Sequence, residues 1–223
     1  MLMKRLVIIC EGQTEQEFCN VLLAPFFSQI GISLQAPLIK KSHGGIVNWD
    51  SLKSEIEKYL CCEKDVLLTT LIDYYGIEAS HRFPQWNKAQ EIVDKCKRLD
   101  FIEEAMKNDI DENLCVRFMP YIQLHEFEGL LFNNKEVFYN QIAAEELVGK
   151  DELESVFNDF DNPEMINNSV ETSPSHRLER IIKGYNKIVY GVCLAEAIGL
   201  ARIREKSPRF NRWLDILCAA LQK

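Results

Sequence analysis

The chain has 223 residues, 47% hydrophobic and 27% charged, enough for a sizeable core and most simply one elaborated domain. Its formal net charge of −8 argues against tight unaided binding to nucleic acid, and no low-complexity tract or internal repeat appears. At the start, MLMKRLVIIC places basic residues before an apolar run, but that run is too short for a signal core or a bilayer span, so a soluble, cytoplasmic protein is expected.

Leu6 to Cys10 is a continuous apolar run of the buried-strand type, closed by Glu11-Gly12, and Thr14-Glu15 opens a helix. Phe18, Val21, Leu22 and Phe26 continue at helical spacing over residues 14 to 29, with Pro25 expected to kink or end the helix. Leu34 to Ile39 reads as a short strand, and Lys40 to Gly45 as a polar, Gly-rich loop. Leu52, Ile56, Tyr59 and Leu60 mark an amphipathic helix. Val66 to Ile72 is the second strong apolar run, ending at Asp73.

Residues 76 to 86 read as loop, and Ala89, Ile92, Val93, Cys96 and Leu99 as one helix. Val116 to Leu124 is the last clear strand and runs into His125-Glu126-Phe127-Glu128. The rest is expected to be helical, with Pro174 and Pro208 just ahead of helix starts and Trp213, Leu214, Leu217 and Leu221 as an apolar stripe. The expected class is α/β, a mainly parallel sheet flanked by helices, with residues 1 to 132 as core and 133 to 223 as a helical extension.

Eight cysteines do not require disulfides here, because Cys10, Cys19, Cys96, Cys193 and Cys218 fall on apolar faces where reduced cysteine acts as a small hydrophobe. Cys61-Cys62 has no second pair or His at ligand spacing, which disfavours structural zinc. Charge is distributed unevenly. From Glu171 onward there are ten Lys or Arg against five Asp or Glu, a net of +5 that leaves −13 for residues 1 to 170.

Strand ends in parallel α/β sheets face ligands at the carboxyl edge. Glu11 and Asp73 end two strands that a βαβαβ passage brings to one edge, and His125 to Glu128 ends a third. A set drawn from Glu11, Glu15, Asp73, Glu126 and Glu128 offers the hard oxygen ligands that suit Mg²⁺ or Mn²⁺, and such ions serve phosphodiester hydrolysis. Bland alternatives stand beside each. Glu11 can answer a helix macrodipole, Glu15 can be ordinary first-turn chemistry, and His125 can be a satisfied half-buried imidazole or a general base. Tyr74-Tyr75 reads as packing or a lid in preference to a nucleophile, since nothing nearby would activate a phenol.

Strand-Glu11-Gly12-x-Thr14-Glu15 resembles the first motif of the Toprim fold, as in OLD-type nucleases. The ordered set ICEGQTEQEF, Gly44-Gly45, TTLIDYY at 69 to 75, HEFEGLLF at 125 to 132 and PSHRL with KGYNK at 174 to 187 resembles the DUF4276 family of small bacterial Toprim-like proteins over nearly the whole chain. That resemblance implies a metal-dependent nuclease-like site, often encoded beside an ABC-type or OLD-like AAA ATPase in anti-phage defence. By it, Glu11 is the acid/base or metal glutamate, Glu15 a second ligand and Asp73 the first acid of a DxD motif whose second acid is replaced by Tyr75. Glu126 or Glu128 is expected, from charge and position, to supply the missing oxygen. Lys187 and Arg177 are candidates to face a scissile phosphate, the alternative for each being a helix-surface charge. The expected partners are DNA or RNA and the ATPase, with no membrane, and a homo-oligomer is left open. The competing function is a non-catalytic binding or regulatory subunit of an ATPase complex. A primase or topoisomerase component ranks last.

Overall fold

The computed structural model describes residues 4–40, 42, 45–167, 169 and 171–222. Gly44 of the Gly-Gly motif and Lys41 and His43 of the polar loop lie outside the described residues. The chain divides into two compact units, one made of residues 1–124 with 213–223, the other of residues 125–212.

The first unit is built on a parallel sheet. Strand β1 (Lys4–Cys10) is central, flanked by β2 (Ile32–Gln35) and β3 (Val66–Asp73), and β3 pairs in turn with β4 (Phe118–Met119) and β5 (Ile122–Gln123). Leu6 to Cys10 are all fully buried, which is why the run shows no polar alternation: both faces of the sheet are covered. Helices α1 (Gln13–Phe18), α2 (Ala24–Gln29), α3 (Trp49–Cys62), α4 (Trp86–Ala89) and α5 (Lys95–Asp109) belong to this unit. Trp49, Leu52, Ile56 and Leu60 of α3 and Leu99, Ile102 and Met106 of α5 join the sheet side chains in one buried cluster.

Four local expectations are corrected. The helix over 14 to 29 is interrupted by a π-helical turn at Cys19–Leu23, and Pro25 then sits in the first turn of α2, where its missing N–H costs nothing. The strand expected over 34 to 39 ends at Gln35, and only Leu38 bridges back to Cys10. The helix read across Ala89 to Leu99 is two: the Asp94 side chain accepts from Lys97 N and starts α5 afresh, leaving Val93 in the turn and 91% exposed. The strand over 116 to 124 is split into β4 and β5 because Pro120 has no N–H for the ladder. At the break, Thr70 Oγ1 donates to Tyr121 O (2.8 Å) and accepts from Tyr121 N (3.0 Å), standing in for the missing rungs.

Helix α11 (Pro208–Gln222) brings Trp213 to this unit. Its indole stacks on Tyr121 at 4.4 Å between centroids, and its Nε1–H donates to the buried Thr69 Oγ1 at 2.9 Å.

The second unit is helical: α6 (Lys135–Gln141), α7 (Lys150–Asp159), α8 (Pro174–Ile181), α9 (Lys187–Ile198), α10 (Leu200–Lys206) and the start of α11. Gly149, ahead of α7, lies so close to α8 that a Cβ there would stand 2.7 Å from Ile181 Cα. All eight cysteines are free thiols, and among the described residues no helix is long and apolar enough to cross a membrane.

Candidate functional site

In the first unit, the parallel register pairs Cys10 with Leu71, so β1 and β3 end almost level. Glu11 N–H continues the ladder to Leu71 O (3.1 Å), and the Glu11 carboxylate reaches across to accept the backbone N–H of Asp73 at 3.0 Å. Two acidic strand ends are thereby tied together, both half-buried. On the other side of Asp73, Gln123 is its register partner and Gln123 O accepts from Tyr74 N at 2.9 Å.

Glu15 turns inward. Its carboxylate accepts Gly12 N–H at 2.8 Å, closing the first turn of α1, and the side chain is buried. Beside it, burial pushes the Cys10 thiol well above its ordinary range, with added contributions from Cys19, whose sulfur is 3.8 Å away, and from the charge of Glu15. The Cys10 thiol is therefore held protonated, and it and the buried Cys19 pack as core. Tyr75 is half-buried. Tyr74 lies tilted against Trp86, and its hydroxyl accepts from Arg98 at 3.0 Å, which ties the loop after β3 to α5.

In the second unit, His125 takes a left-handed backbone (φ +65°) and is buried, and a 3₁₀ turn over Phe127–Leu131 follows. The turn sends the two glutamates to different partners. Glu126 Oε2 accepts Ser175 N–H and Oε1 accepts Ser175 Oγ–H, each at 2.9 Å, so its carboxylate sits at the N-terminus of α8. Glu128, 1% exposed, has Lys187 Nζ 2.9 Å from Oε1, while Oε2 has no hydrogen-bond partner among the described residues. Burial raises the Glu128 carboxyl above its usual range, Lys187 draws it down, and the charge of Glu126 pushes it up. Lys187 itself is 49% exposed. Arg177 is committed elsewhere: its Nε donates to Thr172 O at 2.9 Å and its guanidinium pairs with Glu152.

Three residues of the PSHRL stretch and its neighbour were given no role by sequence reasoning. Ser173 Oγ lies 2.8 Å from His176 Nδ1 and 3.3 Å from Ser175 Oγ, which in turn bonds Glu126. The signal that could have found them is Ser173-Pro174, a helix start, three residues ahead of a histidine.

Among the described residues, no three His, Cys, Asp or Glu side chains are gathered as a metal-holding group. The acids that the sheet edge ties together are Glu11 and Asp73, through the Asp73 backbone N–H. Mg²⁺ commonly takes one or two protein carboxylates and completes its shell with water and phosphate oxygens.

No curated protein and no solved structure matches the chain. A family model described as a domain of unknown function, DUF4276, matches residues 10–218, and the chain belongs to that family.

Proposed function

We propose that the chain is a Mg²⁺- or Mn²⁺-dependent nuclease hydrolysing phosphodiesters of DNA or RNA, a Toprim-like protein of anti-phage defence working with an ABC-type or OLD-like AAA ATPase. The observation that carries this reading is the Asp73 N–H to Glu11 carboxylate bond, which joins two acidic strand ends at one edge of a parallel sheet. Glu11 and Asp73 are the residues that would hold the cation, with Glu15 shaping the turn between β1 and α1. The bound cation would supply screening of phosphate charge and a more acidic water. In the second unit, Lys187 is the cation offered to a phosphate oxygen, and Glu128 beneath it sets where the ammonium sits.

A second reading, a non-catalytic binding or regulatory subunit, draws on Tyr75 standing where Toprim motifs carry a second acid and on Glu126 being engaged at both oxygens by Ser175. Calorimetry separates the two. Mn²⁺ is expected to bind the unmodified chain, and Glu11→Ala and Asp73→Ala are each expected to weaken it at least about tenfold, or ~1.4 kcal/mol, with plasmid and RNA cleavage falling in parallel. A folded, unmodified chain that binds neither Mg²⁺ nor Mn²⁺ refutes the nuclease reading and leaves the binding subunit.

A further inference from the structure

We infer that the amino edge of the sheet in the first unit is a docking site for a partner protein, which it takes by an acidic segment carrying a bulky apolar side chain among its carboxylates. The inference does not rest on the nuclease reading, whose acids lie at the opposite edge of the same sheet.

The site is set by where helix α11 stops. Side chains alternate along a strand, so Leu67 shares a sheet face with Thr69. Trp213, early in α11, reaches Thr69. At Leu67 the helix has come to its last turn, and there Ala220 and Leu221 line a groove of about 420 Å³ together with Val66 and Leu67. Leu67 is accordingly half-buried, while Val66 and the residues from Leu68 to Ile72 are buried. One turn back on the same face of α11 as Ala220, Ile216 is 46% exposed, so the apolar surface continues out of the groove.

Three cations stand around this floor. Register sets Arg5 against Val66, so Lys4 and the Lys64-Asp65 pair open neighbouring strands. Lys4 Nζ donates to Leu221 O at 2.6 Å, and Arg117 donates to Leu60 O and Glu63 O, each at 2.7 Å. Those carbonyls at the ends of α11 and α3 fix the two side chains without placing a carboxylate against them. Lys64 is exposed. Among the described residues none of the three forms an ion pair, whereas Arg5, Lys53 and Arg82 of the same unit each hold an acid. Asp65 is the one acid in the lining, which therefore carries +2 on a chain of net −8.

That charge and that floor together decide the class of occupant. A positive rim steers anionic groups in and turns basic ones away. An apolar floor gains nothing from a bare phosphate or a nucleic-acid backbone, but a leucine or phenylalanine side chain removes apolar area from water there. Two copies of a chain carrying −8 repel each other, which favours another protein as the source of the segment. Because hydrogen bonds already hold Lys4 and Arg117, binding takes little further freedom from them. Glu11 lies at the far end of β1, on the order of 20 Å away at the rise of a strand, so a partner seated here leaves the acidic edge uncovered.

The test is selection of a displayed library of random short peptides on the full chain, then fluorescence anisotropy of the selected sequences. The unmodified chain is compared with the double variant Lys4→Glu, Lys64→Glu and with Lys64→Glu alone, which alters only an exposed side chain and guards against misfolding of the first. Selected peptides are expected to carry Asp and Glu around one bulky apolar residue, and to bind the double variant at least about tenfold more weakly. Their binding is expected to weaken when that apolar residue becomes alanine, and when salt is raised to about 1 M, where the screening length is about 3 Å. Selected sequences that lack acids, or that bind the unmodified chain and both variants alike, overturn the inference. Competition by inorganic phosphate as effective as by peptide overturns it in favour of a simple anion site. A dimer in sedimentation that the double variant abolishes overturns it in favour of a second copy. A chain that binds these peptides but no Mg²⁺ or Mn²⁺ sinks the nuclease reading and leaves the docking site standing.

Discussion

Glu128 shows how one buried side chain can read its surroundings as pH dependence. Burial lifts its carboxyl above the 4.5 of an exposed glutamate, and although Lys187 opposes the shift, the net displacement is upward. Between the unfolded value and the raised folded value, the folded state binds more protons than the unfolded state. Stability from this group is therefore fully present below the unfolded value and is lost as pH rises through the folded one. Denaturant unfolding across that window should show the unmodified chain losing stability relative to Glu128→Gln as pH rises, and Lys187→Met should steepen the loss by removing the opposing charge. Identical pH profiles for all three chains would show that the carboxylate titrates as an exposed one. Glu126, two residues away, makes the contrast: its oxygens are occupied by Ser175, and the reversal between the two comes from the 3₁₀ turn at Phe127 that follows the left-handed His125.

Elements are where sequence reading succeeded and failed for reasons that can be named. Strands β1 and β3 were legible because a stretch buried on both faces must be apolar at every position, and few other structures write that pattern. The acids that end them were legible for the same reason, since a charge after such a run marks the sheet edge. Asp94 was a helix start in plain view, yet the apolar spacing of Ile92 and Val93 argued across it, and the cap prevailed because four orphan N–H groups need acceptors wherever a helix begins. The division of Glu126 and Glu128 was not legible, for it depends on Ser175 and Lys187, which lie far along the chain. A carboxylate filling a helix start from a distance recurs at α11. Glu164, 1% exposed, accepts from Arg209 N at 2.8 Å and Phe210 N at 3.0 Å. Spacing gave no sign of it. Glu164→Gln should lose about 1.5–3 kcal/mol, the range for hydrogen bonds to a charged group, seen as a lower urea midpoint with an unchanged slope.

At the scale of the whole molecule, the sum of charges was legible and its use was not. Of the ten basic residues from Glu171 onward, Arg177 and Arg180 share Glu152 and Lys187 pairs with Glu128, so two of the five excess positive charges are answered by earlier acids of the second unit. Arg202 pairs with Glu205, already counted in that balance. The first unit is assembled from two separated stretches of chain, and the later stretch meets the sheet through Trp213 on Thr69 and through Leu221 O, which accepts from Lys4 Nζ. Trp213→Phe keeps a ring over Tyr121 but leaves Thr69 Oγ1 without its donor inside the core, a loss of about 1–3 kcal/mol expected in urea unfolding.

That discontinuity sets a clock on synthesis. When Leu124 has been joined, every strand of the sheet exists, but the indole that covers Tyr121 is still untranslated and the whole of the second unit must be made before it. At ordinary elongation speeds the interval is on the order of ten seconds, far longer than strands and helices take to form. For that time the nascent sheet waits with Thr69 unbonded by its indole partner, so a chaperone or a protease meets the first unit in a form that the finished protein never shows.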